Sequence, residues 1–256
     1  MIILLIGLPG AGKTALAKEI CRRTDAIHLN ADQVRSDLCK DLGFSIEDRV
    51  EQSRRMGAMA RMLSFQGKLV IADFVNPMEI TRKSFGKADV TVYVNRISRG
   101  RFEDTNAIWE DPNMFDVEIL SGMSIEEEAS KVLSFAKIYD WTQPTTLMLG
   151  RYQPWHEGHQ ALKEEAHKRT DQVLVGVRNT HETSEKDPLS YEEVVSYICR
   201  ANEQDEPLIM KLPNITNIVY GRDVGYKIEH IELSKEIQEI SATKIRAKMR
   251  EEGKLK

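Results

Sequence analysis

The stretch Gly7–Thr14 reads GLPGAGKT and directly follows the apolar run MIILLI at residues 1–6. Its spacing, GxxxxGK followed by a hydroxyl residue, is a pattern that cradles phosphate groups when it joins a strand to a helix. Residues 13–23 continue with apolar side chains at helical intervals, so both neighbours of the loop fit that context. The sequence therefore predicts a buried strand over 2–6, a phosphate-binding loop and a helix over 13–23.

This phosphate-binding loop (P-loop) supplies the first set of candidate nucleotide ligands. Glycines free the backbone N–H groups to surround phosphates, and the helix N-terminus adds positive potential. Lys13 is predicted to contact the transferred phosphoryl group as a catalytic residue, and the Thr14 hydroxyl to bind Mg²⁺. Asp73, after the apolar strand at 68–72, is the second candidate magnesium ligand. ATP and Mg²⁺ are the expected cofactors, with ATP held by Gly7, Gly10, Gly12, Lys13 and Thr14.

Short apolar runs alternate with helical stretches along the chain. Up to residue 141 the pattern predicts helices near 45–66 and 124–139, and strands at 68–72 and 90–94. Beyond 145 it predicts strands at 146–149, 172–177, 207–212, 216–220 and 228–233, and helices at 158–169, 190–203 and 241–251. Such alternation favours parallel sheets covered by helices on both faces. Because the polar, Pro-bearing stretch 142–145 interrupts the pattern, we predict an α/β protein with a P-loop domain over 1–141 and a smaller Rossmann-like domain over 145–256.

Composition narrows the classes of partner. The 256 residues carry 36 Lys and Arg against 40 Asp and Glu, without the basic stripe that long nucleic acids require. The apolar start is too short for a membrane span and lacks a signal peptide's basic start, so no membrane partner is expected. Three well-separated cysteines favour neither a disulfide framework nor a zinc site, which fits a reducing cytoplasm. Small-molecule substrates are the expected partners, and the sequence leaves open a homo-oligomer.

Asp32 is the candidate general base of the first domain. It follows the first helix and the next strand in the stretch NADQVR at residues 30–35. A carboxylate at a strand end could orient or deprotonate an acceptor hydroxyl, and Arg35, one helical turn later, could hold an anionic substrate. The alternative is a helix-capping Asp with a surface Arg.

The residues from Asp32 onward resemble those of adenylyl-sulfate (APS) kinases. The resemblance covers roughly residues 2–95. The similar segments are DQVR at 32–35, LCKDLGFS at 38–45, DR at 48–49 and EQSRR at 51–55. This resemblance implies a P-loop kinase whose arginines hold the sulfate and phosphate of the acceptor while an aromatic ring stacks on adenine. The resemblance implies that Phe44, Arg49, Gln52, Arg55 and the segment Phe74-Val75-Asn76-Pro77 line the acceptor site, in addition to Arg35.

The chain departs from that family pattern at several positions. The family usually has Asn at position 52, Ile-Ser at 75–76 and Gly at 31, where this chain has Gln52, Val75-Asn76 and Ala31. The family's lid is replaced by a different segment in which Arg96, Arg99 and Arg101 are the candidate lid arginines. Asp73 together with Asn76-Pro77 also resembles polynucleotide-kinase-like enzymes, and this remains the alternative for the first domain.

A second site is predicted where the strand at 146–149 ends. The sequence GRYQPWHEGH at 150–159 contains HxGH, whose histidines lie three apart and face one side of a helix start. Imidazole groups there can bind nucleotide phosphates and stabilise charge on an attacked α-phosphate. The segment ISATKIR at 240–246 offers a second phosphate cradle. The candidate residues are Gly150, Arg151, Tyr152, His156, His159, Ser241, Thr243 and Arg246, of which His156, His159 and Arg246 are the catalytic candidates.

HxGH paired with an ISxTxIR-like segment resembles the HxGH nucleotidylyltransferase superfamily over roughly residues 146–250. The resemblance implies nucleotidylyl transfer from ATP or CTP to a phosphorylated small molecule, with release of pyrophosphate. The sequence GRYQPWHEGH is more similar to that of nicotinamide-mononucleotide adenylyltransferases than to that of cytidylyltransferases. This similarity favours ATP over CTP as the nucleotide substrate. The superfamily also places nucleotide contacts in a Gly-x-Asp-like segment, matched here by Asp223.

Together these features predict a bifunctional nucleotide enzyme, a transferase with a kinase site and a nucleotidylyltransferase site. The kinase product could feed the second site. Some fused enzymes that make 3′-phosphoadenylyl sulfate (PAPS) join an APS kinase to an ATP sulfurylase, which also contains HxGH. The sulfurylase pattern has Arg-Asn-Pro where this chain has Tyr152-Gln153-Pro154, so we do not expect coupled PAPS synthesis here. The alternative to an enzyme is a regulatory protein whose two sites bind nucleotides without catalysing a reaction.

Overall fold

A computed structural model of the chain describes residues 1–179, 183–203, 207–219, 221–222, 225, 227–238, 240–253 and 255. The chain forms two compact units, Met1–Trp141 and Thr142–Lys256. Both units are α/β structures built on a parallel sheet. The predicted α/β class is therefore confirmed.

The first unit contains a five-stranded sheet. Its elements are β1 (Ile2–Ile6), α1 (Lys13–Arg22), β2 (Ile27–Asn30), α2 (Ala31–Asp37), α3 (Ile46–Phe65), β3 (Val70–Asp73), α4 (Glu79–Phe85), β4 (Val90–Val94), α5 (Glu103–Ala107), β5 (Val117–Ile119) and α6 (Ile125–Phe135). The strands are parallel in the order β2-β3-β1-β4-β5. Because parallel strands end at one edge, the loops after β1, β2, β3 and β4 meet there.

Strand β1 is buried along its whole length because helices cover both of its faces. Successive strand residues point to opposite faces. Ile3 and Leu5 pack with Leu16 of α1 and Val132 of α6. On the other face, Ile2, Leu4 and Ile6 pack with Met56 of α3 and Phe85 of α4. This burial sets the position of the loop that follows β1.

A buried ion pair joins α1 to the end of the first unit. Arg23 and Asp140 are each only 5% exposed, and Arg23 Nε donates to Asp140 Oδ2 at 2.7 Å. The same guanidinium donates to the Glu126 carbonyl at 2.8 Å and to Ser130 Oγ at 2.9 Å, both on α6. The Trp141 N–H donates in turn to the Arg23 carbonyl. One side chain thus ties three segments together.

The second unit contains a three-stranded sheet. Its elements are β6 (Thr145–Gly150), α7 (Glu157–His167), β7 (Gln172–Arg178), α8 (Tyr191–Ala201), β8 (Leu208–Leu212), α9 (Lys235–Gln238) and α10 (Ala242–Glu251). Its strands are parallel in the order β6-β7-β8. Met148, Val175 and Val177 form its core with Val194 and Ile198 of α8.

Two strands predicted for the second unit are not formed. The described residues 213–219 and 227–234, which cover the predictions at 216–220 and 228–233 apart from Tyr220, contain no regular element. Ile218, Val219 and Ile228 are exposed. An apolar alternation becomes a strand only when a neighbouring strand and a covering layer exist, and neither is present at these residues.

The buried ion pair yields a stability prediction. Arg23→Met removes the guanidinium that pairs with the buried Asp140 and bonds to α6, so we expect a loss of about 3 kcal/mol in the free energy of unfolding. Urea denaturation followed by circular dichroism measures this change. Arg22, whose pair with Glu19 is solvent-exposed, is the matched control, and Arg22→Met should change the urea midpoint little. Equal effects of the two substitutions would contradict the assigned role of the buried pair.

Candidate functional sites

The loop after β1 has a backbone shape that only glycine adopts easily. Gly12 caps α1 with a left-handed φ of 97°. A Cβ atom at this position would lie 2.3 Å from Arg96 Nη1. The Lys13 ammonium donates to the carbonyls of Gly7 at 2.9 Å and Leu8 at 3.0 Å, and so folds back over the loop. The loop is therefore shaped to surround an anion with backbone N–H groups.

Lys13 is buried, and the pKa of its ammonium group is lowered. Burial lowers the pKa of Lys13 to about 8, although the negative charges of Asp73 and Asp32 oppose this shift. The ammonium form dominates at neutral pH and is lost as the pH rises through 8. A bound polyphosphate would stabilise the ammonium and restore the proton.

Asp73, at the end of β3, is the centre of a polar cluster beneath the loop. The Thr14 hydroxyl donates to Asp73 Oδ2 at 2.6 Å. His28 Nε2 lies 2.8 Å from Asp73 Oδ1, and Asn30 Nδ2 donates to the same oxygen at 3.0 Å. Burial raises the pKa of Asp73, but the hydrogen bonds from His28, Thr14 and Asn30 outweigh burial, so the pKa is lowered. The structure thus brings the two predicted magnesium ligands together, with the carboxylate ionised.

His28 and Asn30 were missed by the sequence reasoning. They lie two residues apart on β2, and Asn30 is the register partner of Asp73 on β3. Their spacing puts both side chains on one face of the sheet. Polar residues at i and i+2 in an otherwise apolar strand were the available signal.

A cleft of about 660 Å³ opens beside this cluster. It is lined at one end by the loop and at the other by residues predicted to bind the acceptor. From the predicted set these are Gly10, Gly12, Lys13, Thr14, Asp32, Arg35, Phe44, Arg49, Gln52, Asp73 and Phe74. Arg55 is not among the lining residues, and its guanidinium pairs with Asp41 at 2.7 Å and Glu51 at 2.9 Å.

Two guanidinium groups flank the ring of Phe44. The central carbon of the Arg35 guanidinium lies 4.8 Å from the ring centroid and that of Arg49 lies 5.6 Å from it. Arg49 also donates to Asp104 Oδ2 at 2.8 Å, which links α3 to α5. Phe44 is itself 68% exposed. This end of the cleft therefore offers two cations and an aromatic surface to one ligand.

The three candidate lid arginines occupy different places. The backbone of Arg101 donates to the Pro9 carbonyl at 3.2 Å, and its side chain lines the cleft above Gly10. Arg99 is exposed and pairs with Glu103. Arg96 pairs with the fully buried Glu128 of α6 and packs against Gly12. Only Arg101 of the three reaches the cleft.

In the second unit, the HxGH histidines stack at the start of α7. His156 caps this helix, and its Nδ1 accepts from the Gly158 N–H at 3.1 Å. The rings of His156 and His159 are 3.8 Å apart and stacked. Tyr152 and Trp155 pack on His159 with ring centroids 5.0 and 5.4 Å away. His159 Nδ1 is buried and has no hydrogen-bond partner in the part of the chain that the structure describes.

Both histidines are held neutral. Burial, followed by the charge of His156, lowers the pKa of His159 to about 3. Burial lowers the pKa of His156 as well, against the opposing charge of Glu157. At pH 7 the pair therefore presents uncharged imidazoles, which donate hydrogen bonds without electrostatic repulsion.

Helix α10 brings the second predicted element to the HxGH loop. Arg246 Nη1 donates to the Gln153 carbonyl at 2.8 Å, and Arg246 Nη2 to Thr243 Oγ1 at 3.2 Å. Ser241 caps the helix by accepting from the Thr243 N–H. Residues 93 positions apart are thus joined at the loop that precedes His156.

The remaining predicted residues of this site take structural or undescribed positions. Arg151 pairs with Asp187 at 3.1 Å. The Tyr152 hydroxyl donates to the Met148 carbonyl, and a Cβ on Gly150 would lie 2.7 Å from the Tyr152 ring, so these two residues shape the loop. Asp223 lies outside the described residues.

The described residues contain neither a membrane-spanning helix nor a cluster of metal-ligating side chains. No helix in these parts of the chain has the length and hydropathy of a membrane span. Within the same residues, no group of three or more His, Cys, Asp or Glu side chains is arranged to hold a metal ion.

Comparison with known proteins finds relatives for both units. The family model described as adenylylsulphate kinase matches residues 1–136, and the one described as cytidylyltransferase-like matches residues 147–219. The adenylyl-sulfate kinase of Shewanella amazonensis is 34% identical over 141 residues, 50% of this chain and 70% of that protein. That of Thermodesulfovibrio yellowstonii is 32% identical over 138 residues, 50% and 69% of the two chains. A solved APS kinase of Mycobacterium tuberculosis with AMPPNP and APS is 24% identical, with 53% of this chain and 96% of that one covered and a TM-score of 0.49.

The weakly held proton of Lys13 predicts a pH dependence of nucleotide binding. Below pH 8 the ammonium is already present, whereas above pH 8 binding must take up a proton. The dissociation constant for ATP in the first unit should therefore rise about tenfold between pH 7.5 and 9. Calorimetric titration across this range measures it. Lys13→Arg, which stays charged, should bind with a flat profile, and a flat profile for the unaltered chain would contradict the prediction.

Proposed function

Because the chain belongs to the adenylylsulphate kinase family, we propose that its first unit transfers the γ-phosphoryl group of ATP to a hydroxyl of adenylyl sulfate. The chain is a transferase of the kinase type. The observation that carries the proposed acceptor is the single cleft that holds the phosphate loop at one end and Arg35, Phe44 and Arg49 at the other. Its two ends suit a triphosphate and an anionic, ring-bearing acceptor.

The residues at the loop end have distinct roles in this proposal. Lys13 binds the β- and γ-phosphates and stabilises the charge that develops as the phosphoryl group moves. Thr14 and Asp73 would hold Mg²⁺, because both offer hard oxygen donors and the Asp73 carboxylate is ionised. Bound Mg²⁺ supplies charge neutralisation between the phosphates. Arg101 covers the loop from the other side, next to Gly10.

Asp32 stands at the junction of the two ends. It lies in the first turn of α2, and its charge acts on Lys13, so it is close to the transferred group. We assign it the role of accepting the proton of the acceptor hydroxyl as that oxygen bonds to phosphorus and ADP leaves. Arg35, one turn later on the same helix, holds the anionic part of the acceptor.

The second unit is proposed to catalyse nucleotidylyl transfer. The neutral His156 and His159 at the start of α7, with Arg246 of α10 bonded to the Gln153 carbonyl in the preceding loop, would bind a nucleoside triphosphate. They stabilise charge on the α-phosphate when a phosphorylated small molecule attacks it and pyrophosphate leaves. The cytidylyltransferase-like match supports this reaction class, and the nucleotide is ATP or CTP.

The first experiment follows ADP and PAPS by chromatography after MgATP and adenylyl sulfate are added to the full chain. We expect PAPS and ADP in equal amounts. Asp32→Asn should lower kcat on the order of 10²-fold with the KM for ATP unchanged, because only proton transfer is impaired. ADP release without PAPS, or no response to adenylyl sulfate, would refute the proposed acceptor.

The two sites should respond separately to substitution. Lys13→Ala removes the phosphoryl-binding ammonium and should abolish ADP formation while pyrophosphate release from a nucleoside triphosphate and a phosphorylated acceptor persists. His159→Ala should do the reverse. Parallel assays of ADP and pyrophosphate on both variants measure this. Loss of both activities in either folded variant would show that the sites are not independent.

A further inference from the structure

His28 holds the buried Asp73 carboxylate from outside the cleft. Its Nε2 lies 2.8 Å from Asp73 Oδ1, and the Asp73 side chain is only 1% exposed. Asp73 lines the cleft of the first unit, whereas His28 is not among the lining residues in the described part of the chain. Any effect of this imidazole on a ligand in the cleft must therefore pass through Asp73.

The two oxygens of Asp73 have different partners. Oδ2 accepts from the hydroxyl of Thr14, the last residue of the phosphate loop, at 2.6 Å. Oδ1 accepts from Asn30 Nδ2 at 3.0 Å and is the oxygen that faces His28. The terminal torsion of an aspartate has broad preferences, so the side chain by itself does not determine which oxygen faces the loop. The hydrogen bonds to Oδ1 determine it.

The sheet fixes the position of the His28 ring. In the parallel pairing of β2 with β3, His28 is the register partner of Ile71, and Asn30, two residues later, is that of Asp73. The side chains of His28 and Asn30 therefore lie on the same face of the sheet. An ionised carboxylate only accepts hydrogen bonds, so His28 Nε2 carries a proton and is the donor to Asp73.

The other donor to Asp73 Oδ1 is open to competition from a ligand. Asn30 lines the cleft, so a bound group or its hydration water can take the amide hydrogens. The Asn30 amide also accepts from the Gln33 N–H at 3.0 Å, which connects it to the start of α2. Because His28 does not line the cleft, its hydrogen bond to Asp73 persists when the cleft is filled.

We propose that His28 is a positioning residue for the metal ion that accompanies the nucleotide. It holds the Asp73 carboxylate with Oδ2 beside the Thr14 hydroxyl, where both oxygens can bind one divalent cation. Removal of a group that orients a metal ligand by hydrogen bonding commonly weakens metal binding by about tenfold to a hundredfold. This inference rests on the proposed kinase function, in which Thr14 and Asp73 hold Mg²⁺, and it adds a residue that touches neither the metal ion nor a substrate.

The test compares His28→Leu, which removes the donor, with His28→Gln, which offers an amide N–H in its place. The full chain is mixed with AMPPNP and titrated with Mn²⁺ in place of Mg²⁺, and free Mn²⁺ is measured by electron paramagnetic resonance. We expect His28→Leu to raise the Kd for Mn²⁺ in the first unit about tenfold, and His28→Gln to restore most of the affinity. Mn²⁺ bound at the second unit contributes equally to all variants, because that unit is unaltered. An unchanged Kd in His28→Leu overturns the inference.

Two measurements distinguish positioning from a general loss of structure. Without metal, His28→Leu should bind AMPPNP as the unaltered chain does, because Lys13 and the loop are intact. ADP formation should need about tenfold more Mg²⁺ for half-maximal rate, while kcat at saturating Mg²⁺ is retained. Equal weakening of AMPPNP binding with and without metal overturns the inference. If His28→Leu does not fold, His28→Phe, which keeps a planar ring without the N–H group, takes its place.

Tyr93→Phe is the matched control. The Tyr93 hydroxyl donates to Asp111 Oδ1 at 3.0 Å in the same unit, and among the described residues Tyr93 does not line the cleft. The substitution therefore removes one hydrogen bond to a carboxylate that holds no metal in the proposed reaction. Its Kd for Mn²⁺ should stay within about twofold of that of the unaltered chain. Equal losses in Tyr93→Phe and His28→Leu overturn the inference.

The metal titration does not depend on the identity of the acceptor. AMPPNP occupies the phosphate loop without one, so failure of the unaltered chain to form PAPS would refute the proposed acceptor and leave the comparison of the His28 variants intact. A tenfold difference in Kd between His28→Leu and the unaltered chain would then still support the role of His28.

Discussion

The burial of β1 between two layers of helices is the constraint on which the first site depends. All five of its residues are covered, so the chain leaves the sheet at a defined point and direction. The next residues must turn sharply into α1, and the left-handed Gly12 makes that turn without strain. Because the strand and the helix are both packed, the N–H groups of the loop are oriented before any ligand arrives. Preorganised donors of this kind need no rearrangement on binding.

Burial and hydrogen bonding together determine the charge states of the residues around the phosphate loop. Asp73 stays ionised because three hydrogen bonds outweigh its burial, whereas Lys13 holds its proton weakly because burial dominates. Arg96 is occupied by the buried Glu128, so its charge stabilises the fold around Gly12 and is partly cancelled at the loop. The arginines that line the cleft are those on α2, α3 and the segment before α5, and Lys13 of α1 is the further cation there. In the proposed reaction, Arg35 and Arg49 would bind the acceptor, whereas Lys13 and Arg101 lie at the phosphate loop.

The candidate site of the second unit contains imidazole groups where the first contains a lysine. Its HxGH loop also joins a strand to a helix, but aromatic rings pack around His159 and keep its imidazole neutral. Neutral donors would suit the nucleotidylyl transfer proposed for this unit, because they would bind the pyrophosphate product less tightly than an ammonium would. Arg246 adds the positive charge from a distant part of the chain, so that this site is complete only when α10 packs against the Gln153 segment.

The sequence by itself determined the contiguous parts of both sites. GLPGAGKT and the HxGH loop each lie between a strand and a helix, and their chemistry depends on local backbone geometry, so short spacing was sufficient to predict them. Tertiary structure alone decided which side chains join them. His28 and Asn30 come from a different strand, β2. Arg49 faces the cleft while Arg55, on the same helix, pairs at the surface, because the packing of α3 selects the inward face. The strands predicted at 216–220 and 228–233 are not formed in the described residues. An alternation of apolar residues indicates a strand, but contacts with neighbouring strands and layers are needed to stabilise it, and the sequence does not reveal those contacts.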